Sequence, residues 1–405
     1  MINDLPFQAL PSQLFNADFG DFSETVEKVA EELARTAATR DKTGGTALAE
    51  RRLLRESGLL TLAVPGEHGG HGAGWPLIFR IVRRFAQADS SLAHLFAFQQ
   101  HQVAAVILFG SPAQQENYLG KTVSERWFWG NAVNARDTRL AATRTDGGWR
   151  LDGVKAFCSG AKDSDVMNVS IATGPVPADR LYAVVPTGRD GITVNDDWDN
   201  MGQRQTDSGS VTFSNVFVGE AEILGPPGNA TSPRASLRNM LGQAVLTEIY
   251  LGNAQGALQQ AVDYTRTQVQ PWAMAGVSRA VDDPLLQLRA GQLWASLRAA
   301  IALAEEANAK FQWAWDRGRD LTEAERGEAA LLVAAARTTA AKAALQVTAD
   351  IFELMGARAT TSANGFDRYW RNVRVHTLHD PVDYRSKALG QWMLTGELPD
   401  PYAYG

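Results

Sequence analysis

The feature that most limits the fold of this chain is a twofold change of periodicity. Helical spacing over the first 125 residues gives way to short alternating segments from Trp127, and long Ala/Leu/Gln-rich helices return after about residue 230. Val26, Val29, Ala30, Leu33 and Ala34 recur among charges at the interval that lines one face of a helix. Val64-Pro65-Gly66 and the glycines up to Gly72 interrupt that pattern as a tight loop. Pro76 suits a first helical turn, Asp89-Ser90-Ser91 suits a cap for a helix running through His94 and Phe98 to about Phe109, and Ser111-Pro112 opens another.

Between residues 126 and 222, segments such as Trp149-Arg150-Leu151-Asp152 and Ser210-Val211-Thr212-Phe213 alternate with Asp/Gly turns, which predicts a β domain. Leu224 to Ala230 reads as the exit linker. Helices are then expected over about 234–268, 283–317, 322–356 and 381–395, and four of them would make a bundle. The resulting division is 1–125, an N-terminal helical domain, 126–230, a middle β domain, and 231–405, a C-terminal helical bundle.

Composition removes other classes. With 39 Lys+Arg against 45 Asp+Glu, the net charge of −6 offers no basic footprint for nucleic acid. Val103 to Phe109 is among the longer apolar runs, well short of the roughly 20 residues a membrane span needs, so no membrane insertion is expected. The start, Met1 to Pro6, lacks a basic segment followed by an apolar one, which predicts no secretory leader. The single Cys158 cannot form an internal disulfide, and a reducing cytoplasm is the expected setting.

The helix, β, helix order, together with Gly58 to Gly72 and Met201-Gly202-Gln203-Arg204-Gln205-Thr206-Asp207-Ser208-Gly209, resembles the acyl-CoA dehydrogenase superfamily over essentially the whole chain. That resemblance implies an α+β fold with an N-terminal helical domain, a middle β-barrel and a C-terminal four-helix bundle. It also implies flavin held between barrel and bundles of neighbouring subunits, and a homotetramer. Function does not follow from fold. The dehydrogenases carry a carboxylate base in a segment that reads here Val375-His376-Thr377-Leu378-His379-Asp380-Pro381, without glutamate. The alternative base position falls near Gly242, with Glu248 close by in sequence. Without a base, removal of an α-proton from an acyl thioester has no agent.

The segments by which the dehydrogenases grip the ADP half of FAD are also altered, reading Tyr264 to Trp272 and Leu354 to Thr360 here, which points to FMN rather than FAD. Ser91-Leu92-Ala93-His94, Gly130-Asn131-Ala132, Phe157 to Lys162, Asn195 to Trp198, Arg204 to Gly209 and Phe366 to Arg374 resemble the reduced-flavin-dependent monooxygenases of sulfur compounds, the dibenzothiophene and methanesulfinate types. This branch implies an FMNH2-dependent, two-component oxidoreductase of sulfur metabolism and desulfurization. It oxygenates the sulfur of a small sulfide, sulfoxide or sulfinate through a flavin C4a-hydroperoxide. A separate NAD(P)H-dependent flavin reductase supplies the reduced flavin, and O2 is the co-substrate. The alternatives are an acyl-CoA dehydrogenase with an unrecognised base, such as Glu248, or an N-oxygenase or indole oxygenase of the same fold.

By the same resemblance, His379 contacts the oxygenated flavin, His376 supports the pocket, and His94 with Phe98 one turn later lines the substrate side. Dibenzothiophene-type members carry tyrosine where Phe98 stands. Asn131 and Ser159 bond the flavin, Ser159 at N5, while Phe157 and Trp198 contact its ring and Arg358 its phosphate. A second phosphate arginine is replaced by Gln270, a role open to Arg385 or Lys387. Each residue also has an ordinary reading: buried core for the histidines and Phe98, a turn for Asn131, a strand end for Ser159, and a surface ion pair for Arg358. His376 and His379 lack the acidic or thiol companions of a metal site, so no metal is expected. Cys158 has no Cys-His-Asn pattern around it and reads as a small buried hydrophobe.

Overall fold

The computed structural model describes residues 17–134, 137–174, 179–225 and 232–400; most of the exit linker lies outside them. The N-terminal part consists of α1 (Ser23–Thr43), α2 (Leu48–Glu56), α3 (Trp75–Ala88), α4 (Ser90–Phe109) and α5 (Pro112–Ser124). The start signals act as expected. The Asp89 carboxylate accepts from the backbone N–H groups of Ser91 and Leu92 at 2.8 and 3.1 Å, and Ser111 with Gln114 forms a capping box.

Helix α4 is the spine of the molecule, with every residue except Ile107 buried. It is the one helix among the described residues long and apolar enough to cross a membrane, and 94% of that window is buried inside the protein, as in a core helix.

The middle domain is built from two sheets. Strands β1 (Trp129–Ala132), β4 (Val166–Ala172) and β5 (Arg180–Pro186) form one, in the order β1-β4-β5, with β1 parallel to β4. Strands β2 (Ala141–Thr145), β3 (Gly148–Lys155), β7 (Val211–Gly219) and β6 (Ile192–Val194) form the other, in the order β2-β3-β7-β6 and antiparallel throughout. Residues of both sheets, among them Leu151, Met167, Val169, Val211, Phe213 and Val218, share one core. The first six residues of β4 are all buried, unlike an alternating surface strand, because its outer side meets α4: Asn168 Nδ2 donates to Gln102 O at 3.1 Å and Gln102 Oε1 at 2.9 Å.

The C-terminal part has three long helices, α6 (Pro233–Thr267), α7 (Pro284–Asp316) and α8 (Glu323–Met355), within a few residues of their expected bounds. The fourth, α10 (Asp383–Thr395), is short and has no buried residue. A further helix, α9 (Asp367–His376), was not distinguished in the sequence. It buries Tyr369, Asn372, Val373 and His376, an i, i+3, i+4, i+7 face hidden by the arginines between them. Helix α6 packs against α3 at van der Waals distance because Gly252 has no side chain: a Cβ there would lie 2.1 Å from the Arg83 carbonyl oxygen.

Candidate functional site

On α4, His94, Phe98 and His101 stand at i, i+4 and i+7, and that face meets the last turn of α9. The His94 and Phe98 rings stack at 4.2 Å between centroids, His94 and His376 lie 4.9 Å apart, and Phe98 and His101 5.4 Å. Helix α6 closes the group. Tyr250 Oη donates to the His376 carbonyl at 2.9 Å, and a Cβ on Gly242 would be 3.6 Å from His101 Nε2.

The three histidines are buried and neutral. Burial pushes His94 down to about 3, with the nearby His379 adding to it. Burial also lowers His101, helped by the charge of Arg238, and His376, helped by His94 and His379. His101 Nε2 lies 3.0 Å from the Arg238 carbonyl oxygen. By contrast, among the described residues neither ring nitrogen of His94 has a hydrogen-bond partner, nor does His376 Nδ1. Buried ring nitrogens without a protein partner are groups that a water or a bound molecule can satisfy.

His379 follows α9 in a turn, its backbone N–H donating to the His376 carbonyl at 3.0 Å. The two histidines do not share a helical face: His376 is buried, whereas the His379 side chain is 39% exposed. His379 Nδ1 lies 3.1 Å from Asp380 Oδ1. A carboxylate only accepts, so Nδ1 carries the hydrogen and Nε2 is left with its lone pair. Asp380 also pairs with Arg337 and Arg385. Against the upward push of burial, the His379 hydrogen bond and these cations hold its carboxyl well below the ordinary carboxylate range.

A second group gathers at the end of β3 and on the loop before β7. Phe157, at a left-handed φ of 59°, is 59% exposed and meets Trp198 edge to face at 6.2 Å. The Asn131 N–H donates to the Ser159 carbonyl at 3.0 Å, and the Ser159 hydroxyl lies 2.7 Å from that of Ser208. Trp198 Nε1 donates to the Gln203 carbonyl at 2.8 Å. Gln203 joins the two groups: its backbone N–H donates to Asn372 Oδ1 at 2.7 Å on α9, and its Nε2 to Ser90 Oγ at 2.6 Å on α4.

The remaining candidates are placed apart. Arg358 stands on the short 3-10 turn Ala357–Thr360, exposed, with no hydrogen bond or ion pair from its guanidinium among the described residues. The surface ion pair is therefore not what holds it. Arg385, considered for a phosphate, is instead committed to Asp380 at 2.8 Å. Cys158 is buried, and burial pushes its thiol up to about 12, so it is inert as a nucleophile.

Glu248, the alternative base, is fully buried in the helical core, where it accepts from Arg83 Nε at 2.5 Å and Asn308 Nδ2 at 2.8 Å. Both oxygens are occupied, and Arg83 is its internal partner. Glu248 is thus not free to act as a dehydrogenase base.

Sequence reasoning missed His101 and Asp380. The first continues the His94, Phe98 spacing by another turn, and the second stands next to His379; both signals were in the chain.

Fold and site together define a flavoprotein of acyl-CoA dehydrogenase architecture whose pocket offers imidazoles where the dehydrogenases use a carboxylate. The N-terminal, middle and C-terminal domains of acyl-CoA dehydrogenase match residues 18–126, 123–216 and 244–384, and the chain belongs to this family. Within it, the chain is 42% identical to a probable FMNH2-dependent monooxygenase, SfnC, of Pseudomonas putida over 93% of this chain and 95% of that one. It is 44% identical to a dibenzothiophene monooxygenase of Rhodococcus erythropolis, over 92% and 93%. Among solved structures, methanesulfinate monooxygenase MsuC from Pseudomonas fluorescens superposes with a TM-score of 0.91 at 41% identity, covering 94% of this chain and 99% of that one. FMN-bound TdsC from Paenibacillus sp. A11-2 does so at 0.90 and 40%, with the same coverage.

Proposed function

We propose that this protein is an FMNH2-dependent monooxygenase that adds one oxygen atom to the sulfur of a small organosulfur compound. The observation that carries this reading is that the pocket has no free carboxylate: His94 and His376 hold orphaned nitrogens beside His379, while Asp380 is committed to Arg337, Arg385 and His379, and Glu248 to Arg83. The names of the relatives, at 40–44% identity over nearly the full chain, support it.

The residues fit FMN. Phe157 offers an exposed aromatic edge beside Trp198, which suits a flat ring system. Ser159 and Asn131 lie together with polar groups for its heteroatoms, and Arg358, apart from them in the single chain and unpaired among the described residues, offers a guanidinium for the single phosphate of an FMN shared with a neighbouring subunit. When bound, reduced FMN supplies two of the four electrons that split O2, the substrate sulfur supplies the other two, and the second oxygen leaves as water.

The protein's own part is to bind, orient and manage protons. His94 and His376, neutral at pH 7, hold N–H donors for the oxygens of a sulfoxide or sulfinate without drawing a proton from solvent. Phe98 supplies the apolar wall. His379, oriented through Nδ1 by Asp380, presents Nε2 to take up or return a proton, which suits the release of water. Burial of α4 and α9 around the pocket keeps bulk water out.

Reduced flavin is expected from a separate NAD(P)H-dependent reductase, and a reducing cytoplasm suits the lone buried thiol. A homotetramer is supported by apolar residues exposed on the C-terminal part: Trp272 at 74%, Met274 at 85% and Leu394 at 88%, with α10 burying nothing in the single chain.

The test is oxygen labelling. With FMN, a flavin reductase, NADH and 18O2, methanesulfinate or dibenzothiophene should gain a single 18O per turnover, seen by mass spectrometry, and oxidised FMN alone should give none. Failure to label any organosulfur compound, with bleaching of bound flavin by an acyl-CoA under argon, would replace this reading with a dehydrogenase.

A further inference from the structure

Ser159 ends a chain of three side-chain hydroxyls, and that chain has a direction. Thr206 Oγ1 donates to the Gln203 carbonyl at 2.9 Å, and a carbonyl can only accept. Thr206 has one hydroxyl hydrogen, already committed, so in its 2.7 Å contact with Ser208 the donor is Ser208. Ser208 has then spent its own hydrogen, and in the 2.7 Å contact between Ser159 and Ser208 the donor is Ser159. The Ser159 hydroxyl therefore has only lone pairs left to offer a ligand. All four residues are buried, which keeps water from re-bonding the chain. Reversing it turns every hydroxyl together and forfeits the bond to Gln203, whose carbonyl also holds Trp198 Nε1.

We infer that this polarised chain makes Ser159 a hydrogen-bond acceptor and the site selective for reduced over oxidised flavin, with Ser208 and Thr206 as the residues that set the selectivity. Reduced flavin carries a hydrogen on N5, whereas oxidised flavin presents a bare lone pair there. An acceptor facing N5 bonds the first and repels the second. The inference rests on the proposed placement of Ser159 against the flavin. It gives an enzyme supplied with reduced flavin from outside a means of taking it up and letting the oxidised form go.

The test compares dissociation constants of the full-length protein for oxidised FMN and, anaerobically, for dithionite-reduced FMN, by calorimetry. Wild type should bind the reduced form more tightly. Ser208→Ala frees the Ser159 hydrogen to point at N5, so oxidised FMN should bind about tenfold more tightly, the equivalent of one hydrogen bond, with reduced FMN little changed. Thr206→Val should move the ratio the same way, and Thr206→Ser should keep the wild-type ratio. Damage to the fold weakens both forms and cannot produce a gain for one. If Ser159→Ala weakens reduced FMN but neither Ser208→Ala nor Thr206→Val alters the ratio, the polarity is overturned and the flavin site stands. If Ser159→Ala alters neither constant, both the polarity and the placement of Ser159 fall.

Discussion

Asp380 accepts from His379 Nδ1 at 3.1 Å with one oxygen and from Arg385 Nη2 at 2.8 Å with the other, while the fully buried Arg337 shares the same carboxylate. One acidic side chain thus orients the histidine at the pocket and pairs with both cations beneath it. Removing each partner should give a different result.

His379→Ala should lower turnover by about a hundredfold or more, since a general acid–base group is lost. Because that side chain is partly exposed and Asp380 keeps both arginines, stability should change little. Asp380→Asn should instead cost about 3–5 kcal/mol, the penalty for leaving a buried cation without its counter-charge. Urea titrations of both variants, with product assays, separate the two effects.

Glu248→Gln removes one of the two carboxylate partners of the buried Arg83, and because Glu305 stays paired with it at 2.7 Å a loss of about 1–3 kcal/mol is expected. Turnover per folded molecule should stay within a few-fold of wild type. A loss of a thousandfold or more without a matching loss of folded protein would restore Glu248 as a catalytic base.

Acid stability should be dominated by the buried histidines. Their folded values lie below the ordinary histidine value, about 3 for His94 and lower than normal for His101 and His376, so the unfolded chain binds protons that the folded chain refuses. Stability is therefore full above about pH 6.5 and falls as pH drops from there toward the folded values, by up to about 1.4 kcal/mol per pH unit for each such group. Thermal melts from pH 7.5 to 5 should show a steep decline, and His94→Phe should flatten it. An unchanged slope in that variant would mean that His94 accepts a proton without cost.

Arg358→Ala tests the phosphate contact. A charge-assisted bond lost to phosphate should weaken FMN by about ten- to a hundredfold. Riboflavin, which lacks the phosphate, should bind as before, and the melting temperature should hold because the guanidinium has no partner among the described residues. Equal weakening of both ligands would place Arg358 elsewhere than at the phosphate.

Much of the architecture was legible because local rules and the fold agree. Asp89, Ser111 and the prolines start helices where capping chemistry requires, and three long helices appear within a few residues of their expected ends. Helix α9 escaped because its buried face carries Tyr369, Asn372 and His376, which do not read as apolar, and its charges lie between them. The strongly buried β4 does not alternate, since α4 covers its outer side, a contact between segments about 66 residues apart.

The sequence by itself determined the order of helical and β segments, the family, and the absence of glutamate from the segment around His376 and His379, for these are properties of residue type and spacing. Only the tertiary structure decided what each polar group can do. It locked Glu248 to Arg83, tied Arg385 to Asp380, stripped His94 of partners and aligned Ser159, Ser208 and Thr206 into one directed chain. The physical reason is that an ionisable or hydrogen-bonding side chain acquires its protonation state and its donor or acceptor role from burial and neighbours, and those neighbours come from distant parts of the chain.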